Sequence, residues 1–150
     1  MQILILLVAA VCSIIAMTGF SILITHITKC ECREPVLLAR LLESIRKKSI
    51  KKEYSYIIGW MIHFSIGIFF MVFYHLLWTI TEAKHIVLGS FLFGSVIGII
   101  GISGWKVIFR LYPALPKLNY KLYYVQLFFA HIIFSLTALF IYYVFELSLG

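Results

Sequence analysis

Apolar residues fill this chain in four long stretches separated by short polar segments. No Asp, Glu, Lys or Arg occurs in 1–28, 54–81, 85–105 or 122–145. Each stretch reaches the ~20 residues with which an α-helix crosses a ~30 Å hydrocarbon layer. The pattern predicts four transmembrane helices, at 2–27, 56–80, 86–109 and 122–145. A further helix is predicted after the first. Glu34-Pro35 resembles a helix start, since proline is favoured at the first helical position. Leu37, Leu38, Leu41, Leu42 and Ile45 then share one face, while Arg40, Glu43, Arg46 and Lys47 fall largely on the other. Residues 35–48 therefore read as an amphipathic basic helix on the membrane surface, its apolar stripe in the lipid interface and its cations near anionic headgroups. Docking onto a partner's soluble domain is the competing use. The expected fold class is all-α integral membrane, a four-transmembrane-helix bundle with one interfacial helix in a single domain, 1–150.

Composition agrees. The chain is 63% hydrophobic, 17% aromatic and 13% charged, whereas soluble domains are about half apolar and roughly a quarter charged. A secreted disulfide scaffold, a disordered tail and a nucleic-acid domain are excluded despite a pI near 9.4. The net charge of +7 reads as topology. Eight basic residues lie between the first two stretches (Lys29, Arg33, Arg40, Arg46, Lys47, Lys48, Lys51, Lys52) and four between the last two (Lys106, Arg110, Lys117, Lys121). The turn 82–84 holds only Lys84. Positive loops stay cytoplasmic, so both termini and that turn are expected outside the cytoplasm of an inner (plasma) membrane. Met1-Gln2 carries no basic n-region and the first apolar run is too long for a signal peptide, which predicts an uncleaved first helix. Three cysteines, two of them in a C-x-C pair, form no disulfide framework.

Small and hydroxyl residues mark the faces that meet. Thr18, Ser21 and Thr25 recur at helical spacing in helix one, and Ser90, Gly94, Gly98 and Gly101 line one face of helix three. Such residues let helices approach and hydrogen-bond in lipid, so Thr18, Gly94, Gly98 and Gly101 are the expected packing positions. Pro113 and Pro116 break the helix in the second basic loop, where Tyr112, Tyr120 and Tyr123 with Trp105 are expected to form an interfacial belt. Residues 63–74 align with 131–142: His63 with His131, Gly67 with Ser135, Tyr74 with Tyr142. The chain then reads as two tandem two-helix units in the same orientation.

Ionisable groups within a membrane are functional candidates by default. With no mid-depth carboxylate, lysine or arginine, carboxylate proton relays are excluded and histidines remain. His63 lies about eight positions into the second helix and His131 about nine into the fourth, both roughly 12–14 Å deep at ~1.5 Å per residue. Matched histidines on parallel helices suit bis-imidazole ligation of haem b. The alternative is that each imidazole bonds a hydroxyl or carbonyl across helices, such as Thr18 or Ser21, and fixes the packing. His75, Glu82 and His85 flank one turn and are candidate metal or quinone-headgroup ligands. His26, Cys30 and Cys32 offer three ligands without an evident fourth. No Ser-His-Asp, paired-carboxylate, P-loop or GxGxxG pattern points to a soluble-type active site.

Ala16-Met17-Thr18-Gly19, Gly59-Trp-Met-Ile-His63-Phe-Ser-Ile-Gly67, the glycine ladder of helix three and His131 together resemble the YagU-like group of small four-helix inner-membrane proteins. The resemblance covers the four helices and not the basic loop. It implies a bacterial inner-membrane architecture and brings no catalytic residue with it. Three functional classes follow: a non-catalytic accessory or structural subunit whose Gly94–Gly101 face and surface helix contact other subunits or a second copy; a haem b or quinone-binding electron-transfer protein using His63 and His131; and a small transporter or channel, for which intramembrane charge is missing.

Overall fold

A computed structural model of the chain describes residues 2–45, 51–81, 86–112 and 118–149. Among these the secondary structure is entirely helical: α1 (Gln2–Thr28), α2 (Glu34–Ile45), α3 (Lys52–Thr81), α4 (Val87–Leu111) and α5 (Tyr120–Leu149). All but α2 are long and apolar enough to cross a membrane, the mark of a multi-pass membrane protein. α3 and α5 run beyond the apolar stretches that announced them, α3 by taking in Lys52 and Glu53, which stay exposed, and α5 by running from Tyr120 to Leu149. Ile3, Leu4, Ile15 and Leu23 on α1, and Leu88, Leu92, Ile99 and Val107 on α4, point outward. A soluble monomer rarely exposes so continuous an apolar surface; lipid accommodates it.

The helices pack in the order α4, α5, α1, α3, with α2 laid on α3. α5 is the most enclosed span. The glycine ladder explains its fit to α4. A Cβ on Gly94 would lie 2.7 Å from Ser135 Oγ and 2.8 Å from Ile132 Cα, and one on Gly98 would lie 3.3 Å from the Phe128 backbone. The face expected to meet partner subunits is thus occupied by α5. Gly59 on α3 does the same for α2, whose Pro35 carbonyl and Ala39 backbone sit where a side chain would be.

α3 and α4 meet chiefly at the end away from α2. There Tyr74 stacks on Phe93 at 4.4 Å between ring centroids, and Tyr74, Ser90 and Ser135 are joined by short hydrogen bonds. Ala9, Ala10, Met71 and Ala138 close the core around this knot. Toward the other end, which carries α2 and the basic residues, α3 and α4 border a cavity instead of packing together.

The connector from α1 to α2 determines what enters the resulting space. Thr28 donates to the Ile24 carbonyl at 2.7 Å, and Lys29 then turns the chain at a φ of 56°. The Cys32 N–H donates to Thr25 Oγ1 at 3.0 Å. The chain therefore doubles back along α1, and Glu34 reaches Ser21, seven residues before the end of α1, or ~10 Å inward at 1.5 Å per residue. Leu37, Leu38 and Ala39 are buried against the protein. The stripe expected to float in lipid is partly turned to the bundle, because Gly59 leaves it a seat there. Residues 46–48, the end of the expected helix, lie outside the described residues.

Candidate functional site

Where α3 and α4 part, all five helices line a cavity of about 210 Å³. α1 contributes Met17, α2 Glu34 and Leu38, α3 His63 and Phe70, α4 Gly101, Gly104 and Trp105, and α5 Leu127, His131 and Phe134. The two histidines singled out by depth thus share one space. Their bonding differs. His63 Nε2 lies 3.0 Å from the Thr18 hydroxyl, the cross-helix partner weighed from sequence. His131 Nδ1–H donates to the Leu127 carbonyl of its own helix at 2.8 Å. A carbonyl only accepts, so a neutral His131 carries its proton on Nδ1 and presents Nε2 as a bare acceptor. Gly101 allows this ring its position: a Cβ there would stand 3.1 Å from His131 Cε1 and 3.4 Å from Nε2. The aligned residues of the two segments therefore keep different partners.

Glu34 is the functional candidate that the sequence reading missed. It is buried, and its carboxylate accepts from the Ser21 hydroxyl at 3.1 Å and from Gln126 Nε2 at 3.5 Å. Gln126 also donates to Ser21. Burial pushes the Glu34 carboxyl from its usual 4.5 up to about 7, and the charge of Glu31 adds to this. Hydrogen bonds from its own backbone N–H, Ser21 and Gln126 oppose the shift. The Tyr123 ring lies close enough to feel Glu34 and Cys32. Its hydroxyl and Gln126 Oε1 are buried without a hydrogen-bond partner. Tyr123 and Trp105 are accordingly core residues of this end, not an interfacial belt. A signal for Glu34 was present. It stands three and four residues before Leu37 and Leu38, on the apolar face of α2, and a carboxyl in phase with leucines is a carboxyl turned inward.

Glu31, three residues earlier, behaves differently. Burial opposes its ionisation, but Arg33, bidentate at 2.7 Å, and Arg40 at 3.9 Å outweigh it and hold the carboxyl low. Cys32 is enclosed; burial first, then neighbouring Cys30, Glu34 and Glu31, push its thiol up to about 12. Among the described residues no three His, Cys, Asp or Glu side chains gather as a metal site, so His26, Cys30 and Cys32 do not converge. His75 stacks on Tyr142 and meets its hydroxyl at 3.2 Å; Glu82 and His85 lie outside the described residues.

Haem b does not fit this arrangement. Bis-imidazole ligation would have to displace Thr18 from His63 Nε2 or turn the ring to ligate through Nδ1. The cavity of about 210 Å³ is also smaller than the ~300–1,000 Å³ of sites for drug-sized ligands. The chemistry the cavity does offer is hydrogen-bond acceptance, a titratable carboxyl and aromatic walls. No known protein family, curated protein or solved structure matches the chain.

Proposed function

We propose that this chain is a multi-pass inner-membrane protein that holds a small lipid-soluble molecule inside its bundle. The single observation that carries the reading is a mostly apolar cavity onto which Glu34, His63 and His131 converge. A largely apolar pocket with a few convergent polar groups is the usual form of a small-molecule site. Apolar cavities of about 150 Å³ already take up benzene. In this reading the basic end faces the cytoplasm, by the positive-inside bias, and the cavity opens toward the bilayer between α3 and α4. The protein carries its ligand without a catalytic residue of its own.

A second reading, a non-catalytic accessory subunit with purely structural polar groups, is favoured by the Thr18–His63 and Ser21–Glu34–Gln126 hydrogen bonds. Purification in mild detergent, followed by absorbance and mass spectrometry of small molecules, separates the two. Ligand binding predicts a colourless sample with one co-purifying species that Gly104→Phe displaces. Loss of nothing on that substitution, with no species found, supports the structural reading instead.

A further inference from the structure

Two of the polar groups that face the cavity present acceptor atoms, and one of them is able to carry negative charge. His131 turns its unprotonated Nε2 side toward Gly101 and the cavity, and Glu34 brings two carboxyl oxygens. Phe70, Trp105 and Phe134 add aromatic faces, which attract cations. Arg33, next to Glu34 in the chain, and Arg40, six residues on, are turned to Glu31. Among the described residues no cation is paired with Glu34.

A buried carboxylate without a counter-ion is costly. It keeps its proton or it takes a positive charge from elsewhere. We propose that the cavity binds a small lipophilic organic cation, such as a substituted ammonium, which displaces the proton of Glu34 on binding and leaves when Glu34 is reprotonated. The exchange balances: the neutral acid and a free cation become a carboxylate–cation pair and one released proton. The proposal rests on the ligand-binding reading above and names the class of its ligand. His63 on α3 and His131 on α5 are the other titratable groups on the cavity wall, and Glu31 and Cys32 on the connector and Tyr123 on α5 lie close to Glu34 itself. α1 and α4 contribute none to the wall.

The test uses the full chain in nanodiscs and two probes of equal shape, benzyltrimethylammonium and its uncharged isostere neopentylbenzene. Titration calorimetry in buffers of different ionisation heat reads affinity and proton release together. For the cation, affinity is expected to rise about tenfold per pH unit, with one proton released, and to level off above about pH 7. The isostere is expected to bind without pH dependence. Glu34→Gln, with its folding checked by circular dichroism, is expected to weaken the cation at least tenfold at pH 8 and to leave the isostere unchanged. The wild-type comparison of the two probes stands even if the variant does not fold. Equal binding of both probes at pH 8, or a pH slope that survives in Glu34→Gln, overturns cation exchange and leaves the pocket standing. Failure of both probes to bind removes the pocket and the exchange together.

Discussion

Gly94 and Gly104 lie on the same helix, ten residues apart, and do opposite things. A side chain on Gly94 would strike Ser135, Ile132 and the His131 carbonyl, whereas nothing lies within 4 Å of one on Gly104. Near Gly94, α3, α4 and α5 are tied by Tyr74, Ser90 and Ser135. Near Gly104 a cavity lies between α3 and α4 around Glu34 and the histidines, while α4 stays packed on α5 through Trp105 and Tyr123. Helix association in lipid has no hydrophobic drive and depends on packing and polar contacts. Where small residues permit close approach, the bundle is zipped and dry; where polar groups are gathered and α3 and α4 border a cavity, it keeps room for a guest. Both ends have a buried core, but the cavity and its polar groups lie at only one of them.

Substitutions can break that contrast. Gly94→Leu should be the most damaging, since overpacking costs 1–3 kcal/mol or more and here the obstacles include backbone; about 3 kcal/mol is expected in thermal unfolding. Gly104→Leu should leave the unfolding free energy unchanged within about 1 kcal/mol. Equal effects of the two would erase the distinction.

Glu34 comes next. Its raised pKa means that the folded chain holds the proton more tightly than the unfolded one. Stability should therefore be full below pH 4.5, fall as pH climbs to about 7, and be flat above. At 1.36 kcal/mol per unit the total is about 3 kcal/mol at most. Glu34→Gln should flatten the profile between pH 5 and 7 (roughly the same window), and an unchanged slope would place the carboxyl in water. Tyr74→Phe, which keeps the ring stack and loses the bond to Ser90, should cost about 1 kcal/mol without altering pH dependence. Thr18→Val removes the partner of His63 and should cost least, about 0.6 kcal/mol by the mean for hydrogen bonds between membrane helices; a loss several times larger would make His63 a keystone of the fold.

The four spans were legible because charge is excluded from long apolar stretches regardless of tertiary detail. α2 was legible as an amphipathic helix, but periodicity alone does not say whether lipid or protein covers the apolar side. Two local features decide it: the turn at Lys29 and the seat at Gly59. The same ambiguity concealed Glu34, which was read as part of a helix start although its phase matched Leu37 and Leu38. His63 and His131 were legible as a pair by depth. Their differing hydrogen bonds, and the gap that joins them, depend on the cavity between α3 and α4, and no short-range pattern encodes it. Gly94 and Gly98 were recognisable as packing positions; that their neighbour would be α5 rather than another subunit was not.

The most direct measurement is an infrared pH titration of carboxyl groups in the full chain, compared with Glu34→Gln. A protonated carboxyl band that persists to near pH 7 and is missing from the variant is the expected result. A band lost near pH 4.5, the ordinary value for glutamate, or one unaffected by the substitution, would contradict a carboxyl buried in the bundle and with it the site built around Glu34.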